Sequence, residues 1–450
     1  MTRSETLAAR RAAAVAARGR LNIRAAMLVA LAVFAQESVW NFYDAQVPPT
    51  ISEYTTSAAI IGLLMGADNV LGIVLQPLVG HLSDRTRSRW GRRVPYFAIG
   101  APIAAVFFVL IPFTNSFGAL VICIFLFGLT ANTFKSAVDS LTPDFQPANR
   151  RSTANAIAKV ATSLTIIVSS LISLLVVDRS VELAFAIPAV IMVTAAIIVA
   201  LTIHETRSPG YQRALVEHAD QPEETRWSFR AIIVDLVHDR SRVMMLLTIF
   251  ATAGTWAAMR SQLTPYAMSV LDLTRGQAGS LSLPAGLAFI VVAVPIAFWS
   301  DRFGRRRIIG IGLIVFALGC LLAFAVPTVI MTVIGVIIAS VGYAAFSING
   351  VVIMWNLAPS TSVVGAYTGL YAIANALGAS LGPALIGVMV DLTDWRFLFL
   401  HATVLIIIAF LLLLGVKGEI NSRQFDDLGA TSEPITAIPT DGSGGSKEKD

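Results

Sequence analysis

Residues Gly80-His-Leu-Ser-Asp84-Arg85-Thr-Arg-Ser-Arg89-Trp90-Gly91-Arg92-Arg93-Val-Pro95 and Ser300-Asp301-Arg302-Phe303-Gly304-Arg305-Arg306-Arg307 share one order of side chains: Ser-Asp-Arg, then an aromatic, glycine and two arginines. The aspartates lie 217 residues apart in a chain of 450. The first copy has four additional residues, Thr86, Arg87, Ser88 and Arg89. Each copy joins two long apolar runs. A period near half the chain indicates two parallel copies of one multi-helix unit.

Outward from these loops the chain is apolar. Hydrophobic residues make up 56%, charged residues 14%, and the mean hydropathy is +0.73. Soluble domains are about 45–50% apolar and about 25% charged. The composition therefore excludes a soluble enzyme, a disordered chain and a disulfide-framed secreted domain. Runs of spanning length occur at about 25–47, 57–80, 95–113, 117–141, 152–177, 182–203, 242–264, 276–299, 307–325, 327–356, 363–390 and 394–416. Lipid leaves unpaired backbone groups unsatisfied, so all twelve are read as helices. The expected fold is an all-α integral membrane protein with twelve transmembrane helices in two six-helix halves.

Positive charge tests that count. If both termini are cytoplasmic, the inner segments hold 27 Lys/Arg and the outer loops three, Arg179, Arg275 and Arg396. Lys135, Lys159 and Arg260 fall within spans. Residues 1–24 read as a basic cytoplasmic leader, 25–203 and 242–416 as the two bundles, 204–241 as a central loop, and 417–450 as a mostly disordered tail. The expected location is the plasma membrane. Cys123 and Cys320 sit in apolar runs and read as buried hydrophobes. The five histidines are scattered, and no metal-ligand spacing or phosphate loop is present. Nucleic acid is not an expected partner, because the basic residues sit in short membrane loops.

In the repeated loop, Asp84 and Asp301 can pair with Arg85, Arg89, Arg92, Arg93, Arg302, Arg305 and Arg306 or accept helix N-terminal amides, a gating cluster that holds the inner side together in one state and breaks in the other; arginines that only fix topology are the alternative. Gly80, Gly91 and Gly304 complete the pattern. The loops resemble the signature of the major facilitator superfamily. The longer first copy, from Gln76-Pro77 to Pro95, with Trp40 and Pro49, is similar to the glycoside–pentoside–hexuronide cation symporters, and most of all to proton-coupled sucrose transporters. Gly365-Ala-Tyr367-Thr-Gly369-Leu-Tyr371 resembles the same group. The resemblance implies alternating access, sugar uptake driven by a cation gradient, and action as a monomer. In sodium-using members of that group, acids on helices 2 and 4 form the cation site. The matching positions here are Gly72, Gln76 and Lys135, which favours protons over sodium.

An ionisable side chain inside the bilayer costs about 2.5–3.5 kcal/mol on insertion scales and so points to a pathway. Glu37, Trp40 and Asp44 share one face of helix 1 and offer a polyol two carboxylates and an aromatic plate. A polar stripe satisfied by neighbouring helices is the alternative. Asp68 on helix 2 is either a proton carrier or half of an ion pair. Lys135 and Asp139, four apart on helix 4, can pair with each other, with Lys159 at similar depth. Arg260 either snorkels to the surface or points inward. Asn349 and Asn375 are further hydrogen-bonding candidates, for solute or between helices. The reading is a secondary transporter for a small solute, expected to be a saccharide such as sucrose or maltose, embedded in the lipid bilayer. It needs no cofactor beyond a proton gradient and has no enzymatic role. Proton-driven export of a drug-like or metabolite substrate is the alternative, and a nutrient sensor the remote one.

Overall fold

The computed structural model describes residues 22–146, 151–208, 211–212, 239–358 and 364–417. Most of the leader, of the central loop and of the tail lies outside the described residues. Every regular element among the described residues is helical. Twelve helices are long and apolar enough to span a bilayer: α1 (Ile23–Ser52), α2 (Ala58–Arg85), α3 (Val94–Phe113), α4 (Phe117–Asp139), α5 (Ile157–Val177), α6 (Val181–Thr202), α7 (Arg240–Val270), α8 (Arg275–Phe303), α9 (Arg305–Ala325), α10 (Val329–Asn356), α11 (Ala366–Asp391) and α12 (Trp395–Leu414). The twelve-span expectation holds.

Local sequence explains where helices begin. Ser57, Ser116, Ser180, Thr274 and Thr328 each accept a backbone N–H with the side chain and cap α2, α4, α6, α8 and α10. Such caps satisfy amides that the first turn leaves unpaired. Residues 53–57, 114–116, 178–180, 271–274, 326–328 and 392–394 form one end of the bundle. The basic loops and the first and last described residues form the other, termed the basic end.

Several boundaries differ from the sequence reading by four to six residues, and two of them move site residues. α1 continues past Pro48 and Pro49 to Ser52, and α7 continues past Pro265 to Val270. Thr50 and Ser52 return their hydroxyls to the carbonyls of Gln46 and Pro48 and hold the last turn of α1. Proline is tolerated in a buried membrane helix when such groups satisfy the backbone. The longer helices place Asp44 and Arg260 deeper than expected, eight and ten residues from their helix ends.

Each half has its own core. In the first, Phe42, Phe108, Phe127 and Phe185 interlock with ring centroids 5.0–6.3 Å apart. In the second, Phe316, Tyr266, Phe346 and Phe399 are fully buried. The halves meet chiefly where α2 lies along α11. There Gly62 faces the Pro383 carbonyl, Gly66 the Ser380 carbonyl and Gly387 the Ala58 carbonyl, with no room for a Cβ. These contacts lie towards the end opposite the basic one. Towards the basic end the halves diverge around a cavity.

Candidate functional site

The cavity has two lobes, of about 640 and about 400 Å³. Glu37, Asp44, Trp256, Arg260 and Tyr343 line both and form the waist between them. The larger lobe runs from Pro383 down to Pro77, Ser136 and Gly369, near the basic ends of α2, α4 and α11. The smaller lobe lies between α5, α8 and α10 and is walled by Ile166, Phe289 and Val336.

The ionisable lining balances. Among the described residues it consists of three carboxylates, Glu37, Asp44 and Asp68, and three cations, Lys135, Lys159 and Arg260. Lys135 Nζ lies 3.6 Å from Glu37 Oε1 and 5.7 Å above the Trp40 ring. Arg260 crosses from the second half to the first, 2.5 Å from Asp44 Oδ2, and donates to Asn41 at 3.1 Å. Asp68 has no ion pair among the described residues. Its Oδ1 accepts from Asn69 at 3.1 Å, and its backbone carbonyl accepts from Asn132, which is held in turn by Gln76.

The predicted pathway residues divide accordingly. Glu37, Trp40, Asp44, Asp68, Lys135, Arg260 and Asn375 converge on the cavity, and Arg260 points inward. Gly72 and Gln76 line the same lobe as Lys135. Three expectations are corrected. Lys135 pairs with Glu37 of the neighbouring helix, and Asp139 lies exposed outside the cavity lining. The four-residue spacing allowed a pair, but α1 brings a carboxylate across the bundle to Lys135. Asn349 is buried away from the cavity, donating to Ser300 Oγ at 2.7 Å and Ala345 O at 2.9 Å, and so ties α10 to α8. Trp40 is not a free plate: it is 8% exposed, packed against Tyr43 and Phe127 under the Lys135 ammonium.

Sequence reasoning missed the aromatic plate that is present. Trp256 stacks on Tyr343 at 4.2 Å and 7° between planes, and the pair sits at the waist. The signal was available, since Trp256 lies four residues before Arg260 and shares its helix face.

The repeated loops differ in detail. In the first, Asp84 lies 3.2 Å from Arg93 and 3.6 Å from Arg92, while Asp144 holds both arginines at 2.7 Å. Glu205, fully buried after α6, accepts the backbone N–H groups of Arg93 and Val94 at 2.9 Å and so caps α3. Gly91 has φ +108°, and a side chain there would strike the Glu205 carboxylate. Burial pushes the Glu205 carboxyl up, opposed by the amides of Val94, Arg93 and Arg92. Burial pulls the Arg93 guanidinium down, opposed chiefly by Asp144. Asp144 and Glu205 were not read from sequence, because they join the loop only when α4 and α6 are packed. Glu205→Ala is expected to cost about 1–3 kcal/mol by leaving buried amides unpaired, and thermal unfolding in detergent measures it.

In the second copy, Arg305 pairs with exposed Asp301 at 3.0 Å and Arg306 donates to the Leu414 carbonyl at 2.8 Å. Gly304 has φ +91°. Arg85 and Arg302 are exposed, and Arg89 lies over the Trp90 ring.

Residues 29–294 and 244–439 match the family Major Facilitator Superfamily. The chain belongs to the major facilitator superfamily. It is therefore a multi-pass membrane protein with the family and fold of transporters of small solutes. Among its relatives, the membrane-associated transporter protein of Homo sapiens is 36% identical over 66 residues, 15% of this chain and 12% of that protein. A sucrose transport protein of Oryza sativa subsp. japonica is 32% identical over 79 residues, 18% of this chain and 15% of that protein. These matches thus span a small part of either relative. Among solved structures, a bacterial homolog to the human lysosomal transporter Spinster, inward-facing and occupied, aligns with a TM-score of 0.69 at 17% identity, covering 89% of this chain and 98% of that one. At that identity the likeness concerns the fold alone.

Proposed function

We propose that this major facilitator protein takes up a neutral, hydroxyl-rich solute, a sugar or glycoside, together with protons. The charge-balanced cavity with a stacked aromatic plate at its waist carries this reading. A lining with equal numbers of opposite charges gives no net attraction to an ion, while its carboxylates accept hydroxyl hydrogen bonds and its cations donate them. The outer face of the Trp256–Tyr343 stack suits the C–H surface of a pyranose ring. The sequence relation to a sucrose transport protein supports the same class.

The proton site in this reading is Asp68. Glu37 and Asp44 are each held by a cation of the lining, whereas Asp68 faces the cavity with only amide partners. Protonation removes its charge without breaking an ion pair. Lys135 lines the same lobe as Gly72 and Gln76, and in this reading its ammonium takes the place of a metal cation. Solute and proton would enter from the end opposite the basic one, with both termini cytoplasmic and the protein a monomer in the plasma membrane. The apolar wall of the smaller lobe favours one further reading, proton-driven export of an amphiphile.

Uptake of labelled disaccharides into proteoliposomes separates these. An inward proton gradient is expected to drive accumulation and a sodium gradient none. Trp256→Ala is expected to raise KM about tenfold through loss of ring stacking. Disaccharide flux absent under both gradients, with amphiphile flux present, would establish the export reading instead.

A further inference from the structure

At the end opposite the basic one, each half reaches into the other by the same device. Asp391, at the end of α11, accepts from Ser57 Oγ at 2.5 Å, from the Ala58 amide at 2.6 Å and from the Ala59 amide at 3.2 Å, all at the start of α2. Asp178, after α5, accepts from Thr274 Oγ1 at 2.6 Å and from the Gly276 amide at 2.7 Å, at the start of α8. The helices correspond between halves: α5 with α11, and α2 with α8. The residues correspond too. Ser57 and Thr274 are 217 apart, the spacing of Asp84 and Asp301, and Asp178 and Asp391 are 213 apart.

We propose that Asp178 and Asp391 form a pseudo-symmetric double latch that holds this end of the transporter shut. The carboxylate at the end of the fifth helix of each half grips the hydroxyl and amides opening the second helix of the other half. Neither contact survives separation of the halves at this end, so both are specific to the state whose cavity faces the basic end. Ligands of one conformer shift its population by their differential free energy, and an intramolecular contact acts by the same arithmetic. The hydroxyls serve two masters: Ser57 and Thr274 also accept amides of their own helices, Ile60 and Gln277. Opening therefore leaves both helices capped and loses only the cross-half bonds.

Arg275 adds a third contact that has no equivalent in the other half. It donates to Gln46 Oε1 at 3.0 Å, the Gln46 carbonyl at 2.8 Å, Thr50 at 2.6 Å and Glu53 at 2.8 Å, all on or after α1. The position 217 residues earlier is Ala58, so this contact has no counterpart. The latch is thus symmetric in its acids and one-sided in its cation.

Electron–electron distance measurement tests it in nanodiscs, where sidedness is irrelevant. Spin labels would replace Phe117 and Val329, exposed at this end on opposite halves, in a background lacking Cys123 and Cys320. The parent is expected to show mainly the short distance. Asp178→Asn and Asp391→Asn are each expected to raise the long-to-short ratio about tenfold, and together about a hundredfold, since hydrogen bonds to a charged group are worth more than neutral ones. Asp394→Asn is the control: that carboxylate sits at the same end but accepts from the Arg396 amide of its own half, and the ratio should not move. Unchanged distances in the double variant would overturn the proposal, as would an equal shift in the control. Should the aspartate variants unfold, Ser57→Ala with Thr274→Ala is expected to give a smaller shift in the same direction, and its absence counts equally against the latch.

Discussion

Asp68→Asn is expected to abolish accumulation of solute against its gradient while sparing exchange. A proton coupled one-to-one supports about tenfold accumulation per pH unit, equivalent to about 1.4 kcal/mol. The amide carries no proton across, so the steady-state ratio should fall to unity under any imposed pH gradient. Counterflow of labelled against unlabelled solute needs only the rocking of the halves and should persist. The amide also keeps an acceptor for Asn69 and disturbs no ion pair. Glu37→Gln is a poorer probe of coupling, because it also leaves the cavity-facing Lys135 ammonium without its partner. Retained accumulation in Asp68→Asn would move the proton site elsewhere, with Glu37 the next position to test.

Gly66→Val is expected to invert the conformational preference and to reduce uptake at least about tenfold. A Cβ at this position would lie against the Ser380 carbonyl, backbone to backbone, with no flexible group to yield. Overpacking of this kind costs about 1–3 kcal/mol in a soluble core. Here it burdens only the state in which α2 lies along α11, so the strain is relieved by opening that end. A cysteine replacing Asn375, which lines the cavity, reports the change through an impermeant maleimide applied to one side at a time. In the parent it should react from the basic end, and in Gly66→Val from the opposite end. Gly369→Val, on α11 with open space around its Cβ position, should not redirect labelling. Labelling unchanged by Gly66→Val would show that the α2–α11 seam is not the closing surface.

Much of the architecture was legible because lipid simplifies the code. A run of about 20 apolar residues has one stable backbone conformation in a bilayer, and basic residues crowd into alternate loops. The repeat of Asp84 and Asp301 showed the two-fold design without any contact being known. Ionisable residues inside apolar runs are costly enough to be conspicuous, so Glu37, Asp44, Asp68, Lys135 and Arg260 were visible as cavity residues. Their partners were not. Spacing along one helix is all that a sequence offers, and it allows Lys135 to pair with Asp139; in the fold Glu37 comes to Lys135 from α1.

The chain by itself thus determined the number of spans, the two halves, which ionisable residues lie within the membrane and the loops that carry the basic residues. Each follows from the hydrophobic effect or from the cost of charge in lipid, which act on a residue whatever its neighbours. Tertiary structure decided which acid meets which base, that Trp256 rather than Trp40 presents a stacked plate, that Asn349 bridges helices, and that Glu205 caps α3. It also decided that Asp178, Asp391 and Arg275, ordinary polar residues in short loops, join the halves at one end. Those facts depend on directional bonds of about 3 Å between residues up to 334 positions apart, and only the packing of helices brings such groups within reach.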